Sequence, residues 1–218
     1  MENSILSFLK QLAKNNNRDW FSAHKVIYEK AKQEFITIVT LVHKEISVFD
    51  EDIRKINPQE CIFRIYRDVR FSTDKSPYKT NFGAYLNKNG KKIHNAGYYV
   101  HMEPGNCFFA GGIYMPSSDL LKSLRQEVYY NFDEFKKIIS EKTFRKYFND
   151  VSGDKLQRLP VGYPKDFPGE KYLKLKDYLV MHNYSPSEFS EKELIVHAAK
   201  VFKAMKPLND FLNRATAI

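Results

Sequence analysis

The sequence predicts an α+β fold in which helices from the two ends of the chain cover one face of an antiparallel sheet. Apolar residues recur in steps of three, four or seven near both ends, as they do along amphipathic helices. Between residues 61 and 114 the pattern changes to alternation, which is typical of strands. Short turns separate consecutive strands, and this favours an antiparallel meander over β-α-β crossovers. No repeat or flexible linker divides the chain, so we expect residues 1–218 to form one domain.

The first fifty residues contain two predicted helices. Apolar residues at helical spacing define the first one over residues 5–12, and the asparagines at 15–17 end it. The second predicted helix begins at Arg18 and ends near residue 49, where acidic residues follow. Trp20 lies in the apolar stripe of this helix, so we expect it to be mainly structural.

Five segments are predicted strands, and they lie at residues 61–70, 82–86, 98–102, 107–114 and 178–184. We expect the sheet to contain residues 63–66, 98–102 and 108–114. Asn, Gly and Pro at 87–90 and 104–106 predict the turns between strands. Paired glycines at 111 and 112 indicate a bulge or close packing within a strand.

Helical patterns return after the sheet. Residues 121–129 and 132–148 are predicted helices, with Ser118 or Asp119 as the N-cap of the first. Residues 150–168 are rich in Pro and Gly, which predicts a long surface connection. Ser190 is expected to begin a final helix that packs on the sheet.

The formal net charge is +9, and its position along the chain is more informative than its size. Residues 61–100 carry eight Lys or Arg and two Asp, whereas residues 1–60 carry nine basic and nine acidic side chains. Concentrated positive charge attracts anions, so we expect a functional site in this segment.

Cysteine content and hydropathy predict the cellular compartment of the protein. Cys61 and Cys107 are too few for a disulfide framework and too far apart for a CxxC motif. The N-terminus lacks the basic start and apolar stretch of an export signal. The longest apolar run, residues 35–42, is far shorter than the roughly 20 residues that a membrane-spanning helix needs. We therefore expect a cytoplasmic protein without a membrane partner, and the sequence does not determine its oligomeric state.

A long motif rich in Arg, Lys and Tyr occupies residues 63–80, which read FRIYRDVRFSTDKSPYKT. With this motif, and with NNRDWF at 16–21, GGIYMP at 111–116 and LPVGY at 159–163, the chain resembles the domain-of-unknown-function 2461 family of conserved hypothetical proteins. These stretches span most of the chain. The resemblance implies no activity, because the family has no established function.

The candidate ligand-binding residues are basic, aromatic and acidic side chains of this motif: Arg64, Tyr66, Arg67, Asp68, Arg70, Lys75, Tyr78 and Lys79. On a strand, Arg64 and Arg70 would share one face, and a guanidinium group holds a carboxylate or phosphate with two parallel hydrogen bonds. Lys75 and Lys79 would add point charges. The motif therefore predicts a site for a small anionic ligand, in a binding protein or in an enzyme whose reaction the sequence does not name.

Two other interpretations stay open at the level of sequence. The arginines of the motif could pair with Asp68, Asp74 or Glu103, which would make the motif structural. Charge with interleaved aromatic residues also fits nucleic acid. The patch is short, however, and no known nucleic-acid motif is visible, so we expect at most weak, salt-sensitive and sequence-independent affinity. Five basic side chains on DNA phosphates would give log K a slope of roughly −4 to −5 against log salt.

No cofactor or metal is predicted. GxxxxGK, GxGxxG and GxSxG motifs do not occur, and the six histidines lack HxxxH or HExxH spacing. The best set of metal-ligand types is His94, His101 and Cys107, although satisfied core or surface residues fit them better. Asp68 and Glu103 are a candidate acid–base pair whose separation the sequence does not set.

Overall fold

The computed structural model describes residues 4–90 and 95–216. The α-helices in these ranges are α1 (Ser4–Lys14), α2 (Arg18–Ala23), α3 (Lys25–Ile46), α4 (Glu51–Arg54), α5 (Ser118–Tyr130), α6 (Phe132–Ser140), α7 (Lys142–Tyr147), α8 (Glu170–Leu173) and α9 (Glu191–Arg214). The strands are β1 (Phe82–Leu86), β2 (Gly97–Met102), β3 (Phe108–Ile113) and β4 (Tyr178–Asn183). Short 3-10 helices occupy Pro58–Cys61 and Pro186–Glu188. Over these same ranges, no helix combines the length and the apolarity needed to cross a membrane.

The four strands form one antiparallel sheet in the order β1-β2-β3-β4, which confirms the predicted meander. A tight turn joins β2 to β3 at residues 104–106, where Pro, Gly and Asn predicted a turn. In this turn the Asn106 amide donates to the Glu103 carbonyl over 3.0 Å. Gly105 has a φ of +79°, a left-handed conformation that glycine adopts without steric cost.

The helices from both ends of the chain cover one face of the sheet, as predicted. Phe82 of β1 stacks on Phe35 of α3, with ring centroids 5.3 Å apart. Phe109 of β3 meets Phe202 of α9 edge to face at 5.2 Å. Gly111 confirms the predicted close packing, because a side-chain carbon there would lie 2.2 Å from the Met205 sulfur. The apolar alternation of the strands thus identifies the face that the helices bury.

The helix ends differ in detail from the predictions. The predicted helix from Arg18 is divided at His24, whose imidazole Nδ1 lies 2.8 Å from the Trp20 carbonyl oxygen and whose ring stacks on the indole. The predicted helix over residues 132–148 is broken at Glu141, whose φ of −59° and ψ of 138° are not helical. The N-cap of α5 is Ser117, whose hydroxyl accepts the Leu120 amide, and not Ser118 or Asp119. Helical periodicity persists across such single-residue breaks, so it does not locate them.

Residues 61–70 do not form a strand of the sheet, and that prediction is wrong. Ile62 makes one isolated bridge with Ala84, and Tyr66 makes another with Tyr78. Beside the second bridge, the Arg67 amide donates to the Pro77 carbonyl over 2.9 Å. Pro77 has no amide hydrogen to return that bond, so the ladder does not extend. The basic motif is therefore a loop that the Tyr66–Tyr78 bridge closes on itself, and its Phe63 amide donates to the Gly83 carbonyl of β1 over 2.9 Å.

The long connection before β4 is partly paired with that strand. Ser152 bridges Leu179, and Lys155 bridges Leu175 just before the strand begins. Val161, farther along the connection, is fully exposed. The predicted surface connection is thus present, and its start protects the edge of the sheet.

Candidate functional site

The face of the sheet that the helices leave uncovered carries a cleft of about 580 Å³. Strand alternation aims its lining side chains away from the helices. They are Tyr85, Tyr99, His101, Phe108, Ala110, Leu179 and Met181, joined by Phe63 and Lys79 from the basic motif. The walls are mostly apolar and aromatic, and the volume falls within the roughly 300–1,000 Å³ of small-molecule sites.

A chain of polar groups enters this cleft from β2 and the turn after it. The Tyr99 hydroxyl lies 2.9 Å from Nδ1 of His101. Nε2 of the same imidazole lies 3.4 Å from a carboxylate oxygen of Glu103. Thr80 and Asn106 donate to the Glu103 carboxylate over 3.0 and 3.1 Å, so its oxygens are held in place.

Burial and hydrogen bonding set the protonation of this chain. Burial lowers the pKa of His101, although the neighbouring Glu103 opposes that effect. Burial raises the pKa of Tyr99 to about 12. For Glu103, burial raises the pKa, but hydrogen bonds from Asn106, Thr80 and His101 outweigh burial and the net shift is downward. At neutral pH the chain is therefore a phenol, a neutral imidazole and a carboxylate.

A second tyrosine and a glycine with a positive φ shape the other end of the cleft. The Tyr85 hydroxyl contacts the carbonyl oxygens of Asn95 and Gly112, the latter at 2.9 Å. Gly112 has a φ of +104°, and a side-chain carbon there would lie 1.9 Å from the Tyr178 carbonyl oxygen. Glycine adopts such a φ without steric cost and leaves room for the Tyr178 carbonyl, so both the backbone angle and the packing require glycine at this position.

The rim beyond Gly112 contains another left-handed residue. Met115 has a φ of +48° and its amide donates to the buried Asp177 carboxylate over 2.6 Å. Tyr114, next to it, is exposed and lines the cleft. The GGIYMP stretch, which the sequence analysis singled out, thus forms part of the cleft and of its rim.

A smaller, polar cavity of about 390 Å³ adjoins the cleft. Asn16, Arg67, Asp74 and Thr80 are among its lining residues. Lys79 and Asn81 line both cavities, so these two side chains lie between the two spaces. The Lys79 ammonium also lies over the Phe63 ring, 5.5 Å from its centroid.

Two of the three arginines in the basic motif pair with aspartates of the same motif. Arg67 contacts Asp74, and Arg70 holds both oxygens of Asp68 at 3.0 and 2.7 Å. The Arg70 pair is exposed, whereas Arg67 is half-buried. The pairs that the structural interpretation required are thus present, and anion binding by these arginines stays a prediction.

The other predicted site residues fall into two groups. Tyr66 and Arg64 are exposed, and the Lys75 ammonium donates to the Val69 carbonyl over 3.0 Å. Tyr78 is buried, and its ring stacks on Phe21 at a centroid distance of 4.0 Å. Of the eight predicted residues, Lys79 alone lines the cleft, while Arg67, Tyr78 and Lys79 line the polar cavity.

Sequence reasoning missed most of the cleft. The three aromatic side chains Tyr85, Tyr99 and Phe108 come from three strands, and only strand pairing brings them together. The spacing was a usable signal. Tyr99 and His101 are two residues apart, as are His101 and Glu103, and residues at this spacing in an extended segment lie on the same face.

The other chemistries that the sequence suggested are not assembled in the described ranges. Asp68 is paired with Arg70, and Glu103 contacts His101 in the cleft, so the two carboxylates do not form an acid–base pair. Cys107 is buried and its thiol contacts the Glu103 carbonyl oxygen, while His94 lies outside the described residues. No group of three metal-ligating side chains occurs within 4–90 and 95–216.

A separate histidine pair lies on the helix-covered side of the sheet. Nε2 of His182, on β4, is 2.9 Å from Nε2 of His197, on α9, and Nδ1 of His182 is 3.3 Å from the Tyr147 carbonyl oxygen. Burial, then the neighbouring His182 and the cations Lys200 and Lys146, lower the pKa of His197. This pair connects the last strand to the last helix and has no part in the cleft.

The fold and the site together define a class: an α+β protein with a four-stranded antiparallel meander, helices on one face and an aromatic cleft on the other. The chain belongs to the DUF2461 family, described as conserved hypothetical protein, whose family model matches residues 4–211. No curated protein and no solved structure matches the chain.

Proposed function

We propose that this protein binds a small amphipathic anion, with an aromatic or aliphatic body in the cleft and a carboxylate or phosphate group at Lys79. The observation that carries the proposal is the junction of an apolar cleft with a polar cavity at Lys79 and Asn81. An apolar cleft with a few convergent polar groups is the usual form of a small-molecule site.

The walls suit a flat or extended apolar body. The Phe63 and Tyr99 rings meet edge to face at 6.3 Å, and Phe108 stacks on His101 with a centroid distance of 4.4 Å. Ala110 lies among them on β3 and its small side chain leaves the floor of the cleft open. Stacking on such rings supports binding without selecting one ring system.

The charge at the junction suits an anionic head group. Lys79 supplies a point charge that can reach either cavity, and Asn81 adds an amide donor. Asp74 lies in the polar cavity and would repel an anion, but its contact with Arg67 offsets that charge. Of the predicted anion-binding residues, Lys79 is therefore the expected contact, because Arg64 and Arg70 line neither cavity.

Ligand-dependent unfolding temperatures test this function. We would measure them for the wild type with phenyl phosphate, dodecanoate, AMP and inorganic phosphate, which separate the body of a ligand from its head group. A compound with both parts should stabilise the protein, because it binds only the folded state. Inorganic phosphate alone should have little effect.

Matched variants locate the binding. Lys79→Met should weaken binding about tenfold or more, as the loss of one ionic contact does. Lys75→Met is the control, because Lys75 belongs to the same motif and lines neither cavity. Ala110→Phe should fill the cleft and abolish binding. Absence of stabilisation by every compound, or full binding to Ala110→Phe, would contradict the proposal.

A further inference from the structure

The chain of groups Tyr99, His101 and Glu103 faces the proposed ligand and is more elaborate than binding requires. A single hydroxyl donor would orient a ligand, whereas here a phenol, an imidazole and an anchored carboxylate follow one another. Building on the proposed function, we propose that this chain is a proton relay that takes a proton from a weakly acidic hydroxyl group, a phenol or an enol, of the bound anion.

The contacts of His101 orient the relay. Nδ1 faces two donor groups, the Tyr99 hydroxyl at 2.9 Å and the Asn81 amide nitrogen at 3.5 Å. Nε2 faces the Glu103 carboxylate, which only accepts hydrogen bonds. Both sides are satisfied when the neutral ring carries its proton on Nε2 and presents a lone pair to Tyr99. The imidazole is therefore positioned as a base toward the cleft.

The proton transfer balances without any other reactant. The O–H bond of the ligand breaks and its proton passes to the Tyr99 oxygen, while the Tyr99 proton passes to Nδ1 of His101. The ligand oxygen keeps the bonding electron pair and becomes an oxyanion. Tyr99 ends as it began, and His101 becomes an imidazolium.

Groups around His101 offset part of the cost of burying that imidazolium. Glu103 lies beside Nε2, and its carboxylate is already held by Thr80 and Asn106. Phe108 stacks on His101 with an interplanar angle of 12°, which places an aromatic face against the new cation. The new positive charge thus develops where the structure supplies a carboxylate and an aromatic face beside it.

The first experiment observes the relay without a ligand. Nitrogen-15 NMR of labelled histidine reports the tautomer of His101, assigned with His101→Gln. We expect the Nε2–H tautomer at neutral pH, and a loss of that preference in Glu103→Gln. An Nδ1–H tautomer in the wild type would overturn the relay, whatever ligand the cleft takes.

The second experiment uses 4-hydroxy-3-nitrophenylacetate as the probe. This compound has a ring, a carboxylate and a weakly acidic hydroxyl, and its phenolate absorbs visible light, so absorbance measures proton loss separately from affinity. In the wild type, the apparent pKa of the bound probe should fall by about one unit or more. Tyr99→Phe and His101→Gln should return it toward the value of the free probe.

Two controls separate the relay from other effects. Tyr130→Phe removes an exposed hydroxyl that lines neither cavity and should leave the probe ionised as in the wild type. Lys79→Met should weaken binding of the probe. The ionisation of the probe that still binds should depend on Tyr99, so adding Tyr99→Phe to Lys79→Met should raise the apparent pKa of the bound probe.

Each outcome of the probe experiment has one meaning. A probe that binds but stays protonated, or that ionises equally in Tyr99→Phe, would overturn the relay and leave the proposed binding function intact. A probe that does not bind would count against the proposed function for hydroxyaryl anions, and the tautomer of His101 would then decide the relay.

Discussion

Gly83 of β1 is the residue whose substitution tests the geometry of the cleft most directly. It lies opposite His101 in the sheet and is buried. A side-chain carbon at Gly83 would lie 2.5 Å from the Tyr99 hydroxyl oxygen and 3.1 Å from two ring carbons. Its φ lies outside the left-handed region, so alanine introduces a steric contact there without backbone strain. Gly83→Ala therefore displaces Tyr99 without changing any charge.

The magnitude follows from these distances. To reach an ordinary contact of 3.4 Å, the end of the Tyr99 side chain must move by about 0.9 Å. A displacement of that size exceeds the difference between the 2.9 Å contact with His101 and the roughly 3.5 Å limit of a hydrogen bond. Overpacking costs about 1–3 kcal/mol and a lost neutral hydrogen bond about 1 kcal/mol. We expect Gly83→Ala to lower the free energy of unfolding by roughly 2–4 kcal/mol.

A double-mutant cycle with Tyr99→Phe isolates the cause. Tyr99→Phe removes the oxygen, which is the atom that the new methyl group would meet first. In that background Gly83→Ala should cost about 1 kcal/mol or less, which gives a coupling of at least about 1 kcal/mol. Urea unfolding followed by circular dichroism measures all four proteins. Additive costs, or a Gly83→Ala protein as stable as the wild type, would refute the assigned position of Tyr99.

Three further predictions concern the backbone, the histidine pair and the basic motif. Gly112→Ala combines a left-handed φ with a clash against the Tyr178 carbonyl, so it should cost about 3 kcal/mol or more in urea unfolding; a near-neutral effect would contradict the backbone geometry. The pKa of His197 is lowered on folding, so the unfolded chain takes up its proton first and stability falls as the pH drops below about 6.5. His197→Gln should therefore lose less stability than the wild type between about pH 8 and pH 5, and equal losses would contradict this sign. Arg70→Met removes an exposed ion pair and should leave the unfolding midpoint unchanged in a thermal melt, whereas a large loss would make the motif structural.

The sequence by itself determined the local elements and their order. Helical stripes such as residues 5–12 and turn residues such as Gly105 act over a few positions, and the structure contains the helix and the turn that they predict. The short connections from β1 to β2 and from β2 to β3 favour antiparallel pairing, so this part of the meander followed from connection length, whereas β4 joins the sheet only after four further helices. For β2 the covered face followed from alternation, because Tyr98, Val100 and Met102 are buried whereas Tyr99 and His101 line the cleft.

Only the tertiary structure decided how the basic motif and the cleft are built. The alternation of exposed Arg64 and Tyr66 with buried Ile65 predicts which side chains contact water. It does not predict whether the neighbouring segment has a backbone amide to donate to this one. Pro77 removes that amide, so the segment is a loop. The cleft depends on pairing register, which sets Tyr85 opposite Tyr99 and aligns β2 with β3. Register is a property of contacts distant in sequence, and a shift by one residue would turn those rings toward the helices.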